Sequence, residues 1–167
     1  MNATVRVSVI ALFCLTAAAC AQKQAVKPAP AEAPTAAAPA TTEGAFTPAD
    51  LTTNPCLRTR AVYFDFDKSD IQSQFSDIVA CHAKYLRDRP MARMTIEGNT
   101  DERGTREYNL GLGERRGNAL ASALEADGAS ASQIKVVSYG EERPVCREHN
   151  EDCWKQNRRD NIVYTAE

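Results

Sequence analysis

Alternation of apolar and polar residues predicts four strands in the second half of this chain. Residues 61–66 and 91–98 alternate, with aromatic or β-branched side chains in the first run and Ala, Met and Ile on one side of the second. Such alternation is typical of half-buried strands. Residues 134–139 and 160–165 predict the third and fourth strands.

Apolar residues recur at helical spacing in two other segments. A capping-box pair, Ser69 and Gln72, predicts the start of the first helix, and Pro90 predicts its stop. The second helix is expected over 105–126. The polar stretch 140–157 is expected to be a loop. The order strand, helix, strand, helix, strand, loop, strand predicts an α/β sandwich with two long helices on one face of the sheet.

The N-terminus predicts export and a lipid anchor. Arg6 precedes a short apolar run, and small residues lead into Cys20, so residues 1–19 are interpreted as a signal peptide. Small residues before a Cys also resemble the lipobox of bacterial lipoproteins, in which Cys20 would be acylated. Ala21 after that Cys favours the outer membrane in such proteins. An ordinary signal peptide with an incidental Cys is the alternative.

Composition separates a tether from a folded domain. Residues 20–55 are rich in Ala and Pro and have few large apolar side chains, so they cannot bury enough surface to offset the entropy of ordering. We interpret them as a disordered tether and residues 56–167 as one domain. The formal net charge of −2 gives no reason to expect nucleic acid as a partner.

Four cysteines fall in the predicted domain, an even number that suggests two disulfides in an exported protein. Local loop closure favours Cys56–Cys81 and Cys146–Cys153 among the three possible pairings. A zinc site that combines cysteines with His82 or His149 is the alternative, but the spacing of the last two cysteines matches no common zinc motif. We therefore expect neither a metal nor a cofactor.

The candidate chemistry lies at one carboxylate and one guanidinium. Asp101 follows the second predicted strand, and Arg116 falls within the apolar arc of the second helix, as does Asn109. An inward-facing guanidinium needs a charged or hydrogen-bonding partner. Asp101 and Arg116 could pair with each other to fix the loop. Equally, they could bind a partner that carries both an ammonium and a carboxylate, such as a diamino acid.

Six motifs in order give the segment 57–165 a specific resemblance to OmpA-like domains. They are VYFDFDKSDI at 62–71, EGNTDERGT at 97–105, YNL at 108–110, LGERR at 112–116, VSYGEERP at 137–144 and NRR at 157–159. With the lipobox and the tether, the whole chain resembles the wall-associated lipoproteins of Gram-negative bacteria that carry this domain. The resemblance implies a βαβαββ sandwich with a mixed four-stranded sheet.

The resemblance also implies a function: non-covalent binding of peptidoglycan stem peptides, without catalysis, and partnership with the Tol envelope proteins. Asp101 and Arg116 would hold the ammonium and carboxylate of diaminopimelate. The family has His where this chain has Asn99, which predicts altered contacts without loss of binding. The remaining residues expected at the pocket are Phe66, Asp67, Gly98, Thr100, Asn109, Asn157 and Arg158, with Arg159 in the same run.

Two alternatives differ in class. A lipoprotein of a secretion or motor assembly could use the same wall-binding chemistry with other partners. An enzyme is the remote alternative, because Asp65 and Asp67 resemble the nucleophile strand of haloacid-dehalogenase phosphatases, which requires magnesium. That family has Gly-Thr after the second Asp, where this chain has Lys68 and Ser69.

Overall fold

The structure, a computed structural model, describes residues 44–166 and contains one four-stranded sheet. The strands are β1 (Ala61–Tyr63), β2 (Arg93–Asn99), β3 (Ile134–Gly140) and β4 (Arg159–Ala166), arranged in the order β1-β4-β2-β3. β2 and β3 are parallel, and the other neighbouring strands are antiparallel. The mixed α/β sheet that the sequence implies is therefore confirmed.

Five α-helices accompany the sheet within residues 44–166. They are α1 (Asp50–Thr53), α2 (Pro55–Arg58), α3 (Ser76–Asp88), α4 (Arg106–Ala126) and α5 (Glu151–Asn157). The two long ones, α3 and α4, cover one face, where they bury the inward side chains of the strands. The centre of this core consists of Val62, Val79, Ala83, Leu86, Met94, Ile96, Leu120, Leu124 and Ile162.

Helix α4 begins and ends at residues that the sequence predicts. The Thr105 side chain accepts a hydrogen bond from the Tyr108 amide and caps the first turn. Beyond the last turn, Gly128 adopts a φ of 93°, which lets the chain leave the helix. The helix lies close to the sheet because Gly117 has no side chain: a Cβ there would lie 2.5 Å from Val136 Cγ1.

The start of α3 differs from the prediction. Ser69 and Gln72 form no capping box; a 3₁₀ turn at Ser73–Phe75 precedes the helix, which begins at Ser76. The Arg116 guanidinium donates hydrogen bonds to the carbonyls of Asp65 and Lys68 and so fixes the turn that precedes this segment. The first strand is also shorter than predicted, since its paired part ends at Tyr63.

The folded region begins before Cys56, although composition assigned residues up to 55 to the tether. Leu51 in α1 is buried in the core, and Phe46 packs against Tyr85 with ring centroids 6.2 Å apart. Phe46 also donates its amide hydrogen to Asp88. Phe46 and Leu51 are two isolated large apolar residues in a polar segment, and two such residues form too weak a pattern to predict this packing.

Both expected disulfides are present. Cys56–Cys81 joins α2 to α3, and Cys146–Cys153 closes a loop that leads into α5. Helix α5 itself lies within the segment expected to be a loop. The predicted signal peptide, Cys20 anchor and most of the predicted tether lie outside the described residues. Within 44–166, no helix combines the length and apolar character that crossing a bilayer requires.

Candidate functional site

A cavity of about 210 Å³ lies where four loops and helix ends converge. Its walls come from the turn after β1, the loop after β2, the first turns of α4, and the residue that follows α5. Seven of the ten residues predicted for the site line it together with four others. The eleven are Phe66, Asp67, Thr100, Asp101, Arg103, Gly104, Tyr108, Asn109, Leu112, Arg116 and Arg158.

Asp101 is 3% exposed and accepts hydrogen bonds from two arginines. Its Oδ1 accepts from the backbone N and the Nε of Arg103, and its Oδ2 accepts from Arg103 Nη2 and Arg158 Nη1. Burial by itself would raise the pKa of Asp101, but the hydrogen bonds from Arg103 and Arg158 outweigh burial and lower it. The carboxylate is therefore ionised at neutral pH.

Arg116 does not pair with Asp101, contrary to one of the two expectations from the sequence. It is fully buried, and its guanidinium donates to three backbone carbonyls: Lys68 at 2.8 Å, Asn99 at 3.1 Å and Asp65 at 3.1 Å. It also lies over the ring of Phe64, 5.0 Å from the centroid. Arg116 thus ties the turn after β1 to the end of β2.

A second buried acid, Asp160, provides the largest favourable charge for Arg116. Burial lowers the pKa of Arg116 to about 10, while Asp160 and then Asp101 act to raise it. Asp160 is itself fully buried, and neither of its carboxylate oxygens has a hydrogen-bond partner within the described residues. Burial raises the pKa of Asp160 well above its ordinary value, and Arg116 opposes this shift.

Arg103 lies between two aromatic rings at the rim of the cavity. Its guanidinium carbon is 4.1 Å from the Phe66 ring centroid and 4.2 Å from that of Trp154. Contacts of this kind stabilise a cation through the negative face of each ring. Arg103 also lies 3.4 Å from Glu151, and the hydrogen bond to Asp101 raises the pKa of Arg103.

The remaining wall consists of polar groups on α4 and the turn after β1. The Tyr108 hydroxyl donates to Asp67, which adopts a left-handed φ of 56°. Asn109 is 1% exposed and donates from Nδ2 to Glu141. Both helix residues lie in the first turn of α4, where the positive end of the helix dipole favours a bound anion.

Three predicted site residues do not line the cavity. Gly98 allows β2 to cross α4 closely, since a Cβ there would lie 2.1 Å from the Gly113 oxygen. Asn99 is buried beneath the cavity and donates to the carbonyls of Glu97 and Arg159. Asn157 instead accepts from the amides of Val145 and Cys146 and fixes the disulfide loop.

Arg159, expected beside them, points away from the cavity. Its Nε donates to Asn161, and its Nη2 donates to the carbonyl of Arg143. Successive residues of a strand face opposite sides of the sheet, so this orientation follows from the position of Arg159 in β4.

Four lining residues were not predicted as site residues: Arg103, Gly104, Tyr108 and Leu112. Arg103 was present in the EGNTDERGT motif, two residues after Asp101, and that spacing was the available signal. Tyr108 stands four residues before Leu112, the spacing of one helix face, yet it is 45% exposed. Helical periodicity alone could not show that the arc passes from core to cavity along α4.

Neither metal alternative fits the described residues. All four cysteines of the predicted domain are in disulfides, so none is available to zinc. Within 44–166, no three His, Cys, Asp or Glu side chains are grouped so that they could hold a metal ion. Asp65 and Asp67 lie on the exposed turn after β1, where Asp67 accepts a hydrogen bond from Tyr108.

Comparison with known proteins defines the class of the domain. The OmpA family matches residues 63–158, which is more than half of the chain. The chain therefore belongs to the OmpA family. This membership confirms the predicted α/β fold, and it supports a non-enzymatic domain over the phosphatase alternative.

The most informative relatives within the family share one name. The peptidoglycan-associated lipoprotein of Haemophilus influenzae is 44% identical over 125 residues, which cover 75% of this chain and 79% of that protein. The crystal structure of the peptidoglycan-associated lipoprotein from Burkholderia pseudomallei is 45% identical, with a TM-score of 0.68. The match covers 70% of this chain and 98% of the Burkholderia pseudomallei chain.

A more distant structure shares the fold alone. The C-terminal domain of Helicobacter pylori MotB superposes with a TM-score of 0.59 at 17% sequence identity, over 64% of this chain and 84% of that domain.

Proposed function

We propose that the domain binds peptidoglycan stem peptides non-covalently and that its cavity takes the zwitterionic end of diaminopimelate. The observation that carries the proposal is the opposed charge within one cavity: an ionised carboxylate at Asp101 and a guanidinium at Arg116. The names of the related lipoproteins point to the same polymer.

Arg116 retains donors for a ligand. A guanidinium has five N–H groups, and the three hydrogen bonds to carbonyls use three of them. The other two have no partner within the described residues. Buried donors normally find a partner, and a ligand carboxylate accepts two parallel N–H groups well. The positive end of the α4 dipole lies near the same place and also favours a carboxylate.

Asp101 supplies the complementary charge for an ammonium. Its lowered pKa keeps it ionised across the neutral range, and Asp67 adds a second carboxylate on the same cavity wall. The apolar walls, Phe66 and Leu112, would contact the methylene chain of a diamino acid. A cavity of about 210 Å³ suits a side chain with one charged end better than a whole sugar.

The wider role follows from the expected N-terminal anchor. A lipid on Cys20 would hold one end of the chain at the outer membrane, and the domain would hold the cell wall. Two or more acyl chains are needed for a stable anchor. The protein would thus connect the two layers, in partnership with the Tol envelope proteins.

Co-sedimentation of the full chain with purified cell-wall sacculi tests the proposal. Asp101→Asn removes the charge and keeps the shape. We expect it to weaken binding roughly tenfold to a hundredfold, the range for one charge-assisted hydrogen bond. Arg116→Lys should weaken binding by a similar factor, because Lys cannot span three carbonyls and a carboxylate. A diaminopimelate-containing tripeptide should compete with sacculi for the wild type.

Matched substitutions outside the cavity serve as controls. Asp152→Asn changes a carboxylate that is 88% exposed on α5, and Arg115→Lys changes the exposed neighbour of Arg116. Both should sediment like the wild type. If Asp101→Asn also sediments like the wild type while circular dichroism shows it folded, the site assignment is wrong. Capture of the Tol propeller protein by the full chain tests the partnership separately.

A further inference from the structure

The carboxylate of Asp101 has no free acceptor position in this structure. It receives four hydrogen bonds, three from Arg103 and one from Arg158. A carboxylate offers about four lone-pair sites, so these bonds saturate it. An incoming ammonium must therefore displace one of the existing donors before it can pair with Asp101.

The two arginines differ in how firmly they are held. The Arg158 side chain is 6% exposed, and it also donates to the carbonyl of Phe64 and to Glu151. The Arg103 side chain is 30% exposed, and its side-chain hydrogen bonds within the described residues go to Asp101 alone. Arg103 is the donor that can leave.

The surroundings of Arg103 allow it to leave without becoming unpaired. Phe66 and Trp154 contact its guanidinium from two sides, and Glu151 lies 3.4 Å from its Nη2. A small rotation about the side-chain torsions would move Nη2 from Asp101 towards Glu151, whose side chain is 57% exposed. Charge compensation would then pass from a buried acid to an exposed one.

We propose that Arg103 is a specificity-determining residue that occupies the ammonium position on Asp101 until a ligand ammonium displaces it. This inference rests on the proposed function and adds a selection step to the same site. A neutral ligand cannot take over the charge of Asp101, so it leaves Arg103 in place. A ligand with both an ammonium and a carboxylate displaces Arg103 and engages Arg116 at once.

The chain contains a single Trp, and its ring contacts Arg103, so fluorescence reports the displacement directly. The full chain is titrated with a diaminopimelate-containing tripeptide, and then with the same peptide acetylated at the side-chain amine. The free amine should change Trp154 emission on binding, and the acetylated peptide should leave it unchanged. Equal changes with both peptides would overturn the inference.

Substitution of Arg103 gives the second measurement. Arg103→Met keeps an unbranched stem between the two rings and removes the donors from Asp101. It should bind the tripeptide about threefold to tenfold more tightly by calorimetry, as expected if the open site is otherwise populated at roughly 10–30%. Arg103→Lys keeps the charge but cannot form the paired contact, so it should also bind more tightly than the wild type. Weaker or unchanged binding by both variants would overturn the inference.

The outcomes separate this inference from the proposed function. Failure of the wild type to bind sacculi and tripeptide would remove the proposed function, and the inference with it. Binding by the wild type that is lost in Asp101→Asn, together with weaker binding by Arg103→Met, would keep the proposed function. It would then make Arg103 a supporting contact and reject displacement.

Discussion

The two ends of the sheet use polar groups in opposite ways. At the end near α2 and the last turns of α3, which we call the closed end, the core is apolar. The buried His82 on α3 contacts the Tyr164 hydroxyl and the Thr59 carbonyl. At the cavity end, Arg116 keeps unused donors and Asp160 has no hydrogen-bond partner within the described residues.

The difference shows where this domain gains stability and where it gives some up. Satisfied polar groups and dense apolar packing stabilise the closed end. Buried charges with incomplete partners cost free energy, and they occur where a ligand would complete them. Changes at the closed end should therefore reduce the free energy of unfolding, and changes at the cavity end should mainly alter binding.

The largest expected effect comes from truncating the closed end. Leu86→Ala removes a fully buried side chain and should lower the free energy of unfolding by about 4 kcal/mol. Leu112→Ala is the matched change at the cavity end, where the side chain lines a pre-existing space, and it should cost roughly half as much. Urea denaturation measures both; equal costs would contradict the comparison.

Removal of each disulfide should also affect the two ends of the sheet differently, one mainly in stability and the other mainly in binding. Replacing Cys56 and Cys81 by Ser should lower the free energy of unfolding by about 3.5 kcal/mol, from the chain entropy of a loop with sequence separation 25. Replacing Cys146 and Cys153 should cost about 2.4 kcal/mol for a separation of 7, but it should weaken tripeptide binding more. The reason is that the second loop supports α5, which carries Trp154. If only the replacement of Cys56 and Cys81 weakened tripeptide binding, the assignment of the binding effect to the Cys146–Cys153 loop would be wrong.

Acid should weaken the closed end through His82. Burial lowers the pKa of His82 to about 4, and the contact with Thr59 only partly opposes this shift. The folded state favours the neutral ring of His82. The stabilisation that this ring gives to the fold is therefore complete above about pH 6.5, and it is lost as the pH falls towards 4. The loss is about 3 kcal/mol. His82→Gln should show a shallower fall in stability over that range, whereas the exposed His149→Gln should behave as the wild type.

The smallest effect concerns the buried acid at the cavity end. Burial raises the pKa of Asp160, so its contribution to stability is greatest in acid and is lost as the pH rises above about 4. Asp160→Asn cannot lose a proton. Its stability relative to the wild type should therefore increase with pH. A difference that is constant from pH 4 to pH 8 would show that Asp160 does not titrate there.

The parts of the fold that sequence predicted are those with strong periodic patterns. Alternation identified all four strands within a few residues, and the apolar arc of α4 placed Arg116 and Asn109 on the buried side. Helix α5 was not predicted, because its seven residues include one buried apolar position, Cys153, and one position cannot define a period. The packing of Phe46 and Leu51 was not predicted either, because these two apolar residues are also too few to define a period.

At the site, sequence predicted the residues better than their partners. Asp101 and Arg116 do line one cavity, but the direct pair that was one of the two alternatives is absent. Arg103 and Arg158 bind Asp101 instead, and backbone carbonyls bind Arg116. Which donor reaches which acceptor depends on distances of a few ångströms in three dimensions. No linear spacing encodes them.

The docking of the N-terminal segment has a mechanical consequence. Lys84 donates to the carbonyl of Gly44, and Phe46 contacts Asp88, so the chain joins the domain beside the end of α3 that precedes β2. The cavity lies at the other end of β2. A pull between the N-terminal end of the described chain and a ligand in the cavity would run along β2. The hydrogen bonds of β2 to β3 and β4 would then be sheared together and not opened one at a time. The domain would therefore resist such a pull with the hydrogen bonds on both sides of β2 at once.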